Sequence, residues 1–233
     1  MFGNFNCFVA CHTTGFPDSG NNPDYSLSND EKLIWRYTIN GHSSVTTTPN
    51  KKDLLMQIAV NRSSTVFQTG LFQLMSDNIT LPNGVTTDVH ILRHPGAAAI
   101  IPLINQNQLV LIRQYRHALA DFIWEIPAGT LQPNEAPLAC AQRELIEETG
   151  YSARAWQPLG IITPVPGYSD ERIHLFLATD MTAGRQNLDK DELLEVVEIE
   201  RGKALEMIDD GVIQDGKTIA GLLLANAWLQ KSA

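Results

Sequence analysis

Cysteine is scarce. Three in 233 residues are too few for a disulfide framework in a chain of this length, which fits a reducing compartment. No apolar run reaches the roughly 18 residues that a membrane helix needs, and no basic N-terminal segment leads into a long apolar block. Positive charge is short as well: the formal net charge is −9 at pH 7. That balance speaks against a general affinity for nucleic acid and suits a protein that collects divalent cations. The expectation is a cytoplasmic protein with no nucleic acid and no membrane among its partners. What the chain does have, at 43% hydrophobic and 18% charged residues, is material for one sizeable core.

Composition changes along the chain. Residues 1–55 contain "TTGFPDSGNNPDYSLSND" and "NGHSSVTTTPN", polar and without sustained period. They are expected to form a poorly ordered or weakly structured extension, with one short element around Trp35. Cys7, Cys11 and His12 miss the usual haem spacing and have no second ligand pair after them, so a metal reading there is set aside. Residues 56–95 hold apolar runs on either side of Asn83-Gly84, a strong hairpin signal, and predict two antiparallel strands. Residues 96–233 form the main domain. "AAAIIPLINQNQLVLIRQYR" supplies two strands, and "LGIITPVP" and "RIHLFLATD" supply two more across the turn-prone "GYSDE". Helical patterns cover 137–149, 201–209 and 218–230. The order predicts an α+β domain with a mixed sheet between helices.

The first of these helices concentrates acid at its C-terminal end. Pro137 suits a first helical turn and Gly150 a residue just past the last. Leu138, Ala141 and Leu145 share one face at spacings of three and four, while Glu144 and Glu148 share another with Glu147 beside them. One side is expected to bury and the other to present carboxylates. Acids at a helix C-terminus also oppose the macrodipole. At about 5 Å and an effective dielectric near 20, each like-charged pair costs roughly 3 kcal/mol before screening. A divalent cation would reverse that sign.

Read backward from that helix, the chain has Gly129, five residues, Glu135, seven residues, Arg143-Glu144-Leu145, one residue, Glu147-Glu148, one residue, Gly150-Tyr151. Seven fixed Gly, Glu and Arg positions match by chance on the order of 10⁻⁸ per start point. The stretch resembles the Nudix box. The resemblance implies an α/β/α sandwich, Mg²⁺ or Mn²⁺ held by the helix glutamates, and hydrolysis of a nucleoside diphosphate linked to another group. It implies Glu144, Glu148 and the Ala128 carbonyl as metal ligands, Glu147 as a further ligand or its close support, Arg143 as the residue orienting the glutamates, Gly129 and Gly150 as backbone positions, and Glu135 in support. The chemistry needs such a cluster: attack at a pyrophosphate meets a shield of negative oxygens, which hard cations on oxygen ligands neutralise.

Around the box, "HPGAAAIIPL", "VLIRQYRHAL", "WEIPAGT" and "PVPGYSDERIHLFLA" resemble the ADP-ribose pyrophosphatase branch, where a proline commonly lies sixteen residues past the last box glycine; Pro166 meets that count. By the same likeness Arg116 contacts phosphate or ribose, which suits a guanidinium fork, and Glu125 touches substrate or supports a residue that does. Trp124 reads as core, and Tyr168 and Glu171 stand near the turn. In the late acidic loop "LDKDELLEVV", Glu192 is the best match to an acidic base, with Asp191 or a box glutamate as alternatives and Lys190 where an acid might stand. The branch further implies a homodimer in which the Asn83-Gly84 hairpin contributes to the partner's site. The expected reaction is ADP-ribose to AMP and ribose 5-phosphate. GDP-mannose or another nucleoside-diphosphate sugar is the alternative substrate, and a noncatalytic ADP-ribose sensor is disfavoured by the intact glutamates.

Overall fold

The computed structural model describes residues 24–27, 33–39, 42–47, 58–188, 190 and 192–232. Contacts divide the chain into two compact units, the larger comprising Val60–Thr80 and Val85–Ala233. In the smaller, Asp24–Leu27 (β1), Leu33–Ile39 (β2) and His42–Thr47 (β3) make an antiparallel sheet in that order, with Trp35 of β2 opposite Tyr25 and Thr46. Cys7, Cys11 and His12 lie outside the described residues.

The expected hairpin is present. Gln73–Thr80 (β5) and Thr86–Arg93 (β6) pair antiparallel from Thr80↔Thr86 to Gln73↔Arg93. Gly84, at φ +83°, adopts the left-handed conformation that the turn requires, and its N–H reaches the Leu81 carbonyl at 2.9 Å. A third strand, Ala59–Gln68 (β4), adds to β5 and makes the pair a three-stranded sheet. "AVNRSSTVFQ" shows little apolar alternation because β4 is exposed along its whole length.

The larger unit also contains two further sheets. One has the order β10-β7-β12-β11: Ala128–Thr130 (β10), Ala97–Pro102 (β7), Ile173–Ala183 (β12) and Tyr151–Ile162 (β11). β7 and β12 run parallel and the other pairs antiparallel, so the sheet is mixed. The second has the order β13-β8-β9, from Leu194–Glu200, Gln108–Arg116 and Asp121–Glu125, all antiparallel. Helix α1 spans Pro137–Thr149, α2 Arg201–Asp209 and α3 Gly216–Ser232.

Strand periodicity divides the interior. Every residue of β7 is buried, and alternate side chains point to opposite faces. Ala97, Ala99 and Ile101 join Leu109, Leu111, Leu175, Leu177, Ala204, Met207 and Leu222 in one core beneath α2 and α3. Ala98 and Ile100 join Phe176, Ala178 and the α1 residues Cys140, Ala141 and Leu145 in the other. A sheet covered by helices on both faces is the α/β/α sandwich that the sequence implied, and continuous apolar runs such as "AAAIIP" are what such a strand needs. Among the described residues no helix is long and apolar enough to cross a membrane.

Candidate active site

Helix α1 starts without a side-chain cap, on Pro137 after the extended Ala136. It ends at Gly150, whose φ of +75° places it in the left-handed region and whose N–H meets the Ile146 carbonyl at 2.9 Å. The last carbonyls are held from outside the helix: Asn187 N–H donates to Glu147 O at 2.9 Å, and Gln186 Nε2 donates to Glu148 O at 2.5 Å.

The buried stripe of α1 is not the one expected. Cys140, Ala141, Glu144, Leu145 and Glu148 are buried, whereas Leu138 is 39% exposed. Glu144 and Glu148 therefore do not face solvent; they sit under the edge of β10. Gly129 explains how Glu144 fits there, since a Cβ on that glycine would lie 1.8 Å from Glu144 Oε1. Glu148 is 1% exposed and accepts the Ala128 N–H at 2.9 Å through Oε2.

Arg143 ties the carboxylates together. Its Nε and Nη2 form a fork on Glu135, at 2.9 and 3.0 Å, and Nη2 also approaches the Thr130 carbonyl at 3.3 Å. Nη1 donates to Glu144 at 2.6 Å and to Glu147 at 2.9 Å. The fork holds the Glu135 carboxyl down at about 2. Glu135 also accepts the Gln132 N–H at 2.9 Å, which fixes the loop before α1.

Glu144 and Glu148 move the other way. Burial raises both carboxyls, that of Glu148 well above the usual range. The charge of Glu192 adds to each, while Arg143 opposes the rise at Glu144 and the Ala128 N–H opposes it at Glu148. Burial also pushes the Cys140 thiol up to about 12, so it is a packing residue.

The residues fit a hard cation. Ile100 N–H bonds to Pro127 O at 2.9 Å and Leu131 N–H to Gly96 O at 3.0 Å. The bonded pairs of the β7–β10 ladder thus flank Ala128, and its own N–H and carbonyl point off the open edge of the sheet, where the N–H meets Glu148. A carbonyl and carboxylates on one edge, with their charge only partly offset by Arg143, form an oxygen donor set for such an ion. Among the described residues no three acidic, His or Cys side chains stand in ligating positions as they are. Arg143 Nη1 instead holds Glu144 and Glu147, and the Ala128 N–H holds Glu148.

Beside this cluster is a cavity of about 760 Å³ bordered by Ala128, Gly129, Arg116, Glu125, Glu171 and Lys217. Arg116 Nε and Nη2 fork onto Glu125 at 2.6 and 2.7 Å. Glu125 is 1% exposed, and burial alone would raise its carboxyl; Arg116 and the charge of Lys217 outweigh that and leave it lowered. Both Glu125 oxygens are committed to these cations, so at the border of the cavity it holds Arg116 in place. Ile162, Pro164, Val165 and Ile173 supply an apolar wall.

Other expected residues fall near this site or away from it. Pro166 is exposed in the turn 165–168, where Tyr168 N–H bonds to Val165 O at 3.2 Å; Pro164 and Val165 border the cavity instead. Tyr168 is largely exposed, and Trp124 packs against the core. Glu192 precedes β13, close enough for its charge to act on Glu144 and Glu148; Asp191 lies outside the described residues. Sequence reading missed Asp215, Lys217 and Thr218. A signal was there in "DGKT", an N-cap acid three residues ahead of a threonine at a helix start.

The family model for the NUDIX domain matches residues 93–220. The chain belongs to the Nudix family. It is 39% identical over 160 residues to a methanol dehydrogenase activator of Bacillus methanolicus, covering 68% of this chain and 86% of the relative. To an ADP-ribose pyrophosphatase of Bacillus subtilis it is 35% identical over 155 residues, 66% of this chain and 84% of the relative. To a GDP-mannose pyrophosphatase of Escherichia coli it is 36% identical over 182 residues, 69% of this chain and 93% of the relative. A solved structure described as an ADP compounds hydrolase superposes with a TM-score of 0.68 at 22% identity, over 76% of this chain and 96% of that one. This Nudix chain is a pyrophosphohydrolase of the ADP-ribose pyrophosphatase-like branch.

Proposed function

We propose that this Nudix protein hydrolyses the pyrophosphate of ADP-ribose to AMP and ribose 5-phosphate, in the cytoplasm, with Mg²⁺ or Mn²⁺. The observation that carries the reading is the adjacency of two features: a row of buried and half-buried glutamates on one helix, two of them held by Arg143, and a cavity of about 760 Å³ that carries the guanidinium of Arg116. Glu144, Glu147, Glu148 and the Ala128 carbonyl would hold the metal, which when bound neutralises phosphate charge and acidifies water. The chain's own residues do the rest. Arg143 sets the spacing of the glutamates, and Arg116, braced by Glu125, faces the phosphates. Glu192 accepts the proton of the attacking water. Glu171 and the apolar wall receive the sugar or base, and the turn at Pro166 closes that wall. Turnover of a panel of nucleoside-diphosphate sugars with Mg²⁺ tests the substrate: ADP-ribose is expected to give the highest kcat/KM. The likeness to GDP-mannose pyrophosphatases supports GDP-mannose as the second reading, and preference for it would displace the first.

We also propose a homodimer in which the hairpin of β5 and β6 completes the partner's site, and that residues 1–55 are dispensable for it. A chain starting at Met56 is expected to sediment as a dimer and to keep most of the activity. A fully active monomer at assay concentration would defeat the shared site, and loss of turnover on truncation would place residues 1–55 in the catalytic fold.

A further inference from the structure

Helix α3 opens on an acid that makes more bonds than a cap requires. An N-cap needs one acceptor for a backbone N–H two or three residues on, and Asn or Ser serves as well as Asp. Asp215 Oδ2 accepts three: Thr218 N–H at 3.0 Å, Thr218 Oγ1 at 2.6 Å and Lys217 Nζ at 2.9 Å.

Two chains of contacts leave that oxygen. The first passes through Lys217, which is held between Asp215 and Glu125. On Glu125 the Oε2 atom is shared, because Arg116 Nη2 and Lys217 Nζ both donate to it. Lys217 rests most closely on Glu125, beside an intact Arg116 fork, and Asp215 supplies its second acceptor. With two carboxylates to serve, the ammonium has a fixed direction of approach to Oε2; with Asp215 uncharged it loses that second anchor and can swing across the oxygen that Arg116 Nη2 also uses. The second chain passes through Thr218. Its hydroxyl gives its proton to Asp215, which turns a lone pair towards the buried Ile126 N–H at 2.9 Å. Ile126 follows Glu125 and lies two residues before Ala128, whose N–H holds Glu148.

We propose that Asp215 is a positioning residue for both halves of the active site, aligning Arg116 through Lys217 and Glu125, and the Ala128–Glu148 edge through Thr218 and Ile126. The proposal rests on reading this site as a metal-dependent nucleotide-sugar pyrophosphatase.

Three variants separate the two chains from simple capping. Asp215→Asn keeps the cap and removes the charge. Thr218→Val removes the hydroxyl with little change of shape, and Thr218→Ser restores it. Asp215→Asn is expected to raise KM for ADP-ribose about tenfold with kcat within about twofold, the signature of a displaced binding group. Thr218→Val is expected to weaken Mg²⁺ binding about tenfold by calorimetry on the substrate-free protein, and Thr218→Ser to recover it. Thermal midpoints follow folding in each variant. If Asp215→Asn and Thr218→Val lower only the thermal midpoint and the active fraction, leaving KM and Mg²⁺ affinity at wild-type values, Asp215 is a cap and nothing more. A wild-type protein that turns over no nucleoside-diphosphate sugar would instead sink the functional reading, and calorimetry with Mg²⁺ alone would still decide the Thr218 chain.

Discussion

Glu148→Gln is expected to give a protein that melts higher without metal and turns over about a hundredfold more slowly with it. Glutamine preserves the volume and an acceptor for the Ala128 N–H but removes a charge that is 1% exposed. A carboxyl whose pKa rises on folding binds its proton more tightly folded than unfolded. Its cost to stability is therefore absent below the unfolded value, grows as pH rises towards the folded value, and is full above it. Burial makes Glu148 such a group, with Glu144 and Glu192 adding to the effect. The gain in melting temperature should accordingly be larger at pH 8 than at pH 5, and Mg²⁺ should stabilise the wild type more than the variant. The turnover figure corresponds to about 3 kcal/mol of lost stabilisation of transition-state charge. Calorimetric scans at the two pH values, with and without Mg²⁺, check the first part, and saturating-metal kinetics the second. Normal turnover at saturating Mg²⁺ would remove Glu148 from the metal site.

Gly129→Ala is expected to be as damaging, for a steric reason. The added Cβ would sit 1.8 Å from Glu144 Oε1 and 1.9 Å from its Cδ, so the carboxylate must leave its place beside Arg143. A displacement on the order of 1 Å at a reacting centre can cost about a hundredfold in rate. Gly202→Ala is the control: it lies in α2, nothing stands within 4 Å of its added Cβ, and helix propensity favours the change. Activity of the two variants measured side by side, with circular dichroism for folding, settles the matter. An active Gly129→Ala would mean that Glu144 does not need its present position.

Much of this was legible in the chain because the signals were local. Pro137 and Gly150 bound α1 as punctuation predicts, and the hairpin follows from Asn83-Gly84. The spacing of Gly129, Glu135, Arg143 and the three glutamates pointed to a common site, and Arg143 does join Glu135, Glu144 and Glu147. What escaped depends on tertiary placement. A helical wheel shows that Glu144 and Glu148 share a face, but it takes the β10 edge to bury that face and leave Leu138 outside. Glu125 reads as an acid in a motif, and only the arrival of Lys217, 92 residues later, shows that its oxygens are spoken for. Short strands such as β9 and β10 carry too few residues for a period to emerge; they form because β8 and β7 offer ladders.

The second core contains a consequence for how the enzyme can vary. Where α1 lies on the sheet, Ala98, Cys140 and Ala141 belong to one cluster, and all three are fully buried. Small side chains there act as shims: they fix the clearance between helix and sheet, and with it the height of the three helix glutamates against the β10 edge. A valine at position 98 or 141 would cost about 1–3 kcal/mol in overpacking, which a domain of this size can absorb, while lifting the entire acidic row. Drift at these alanines would then be read in catalysis before it is read in folding, although neither touches substrate.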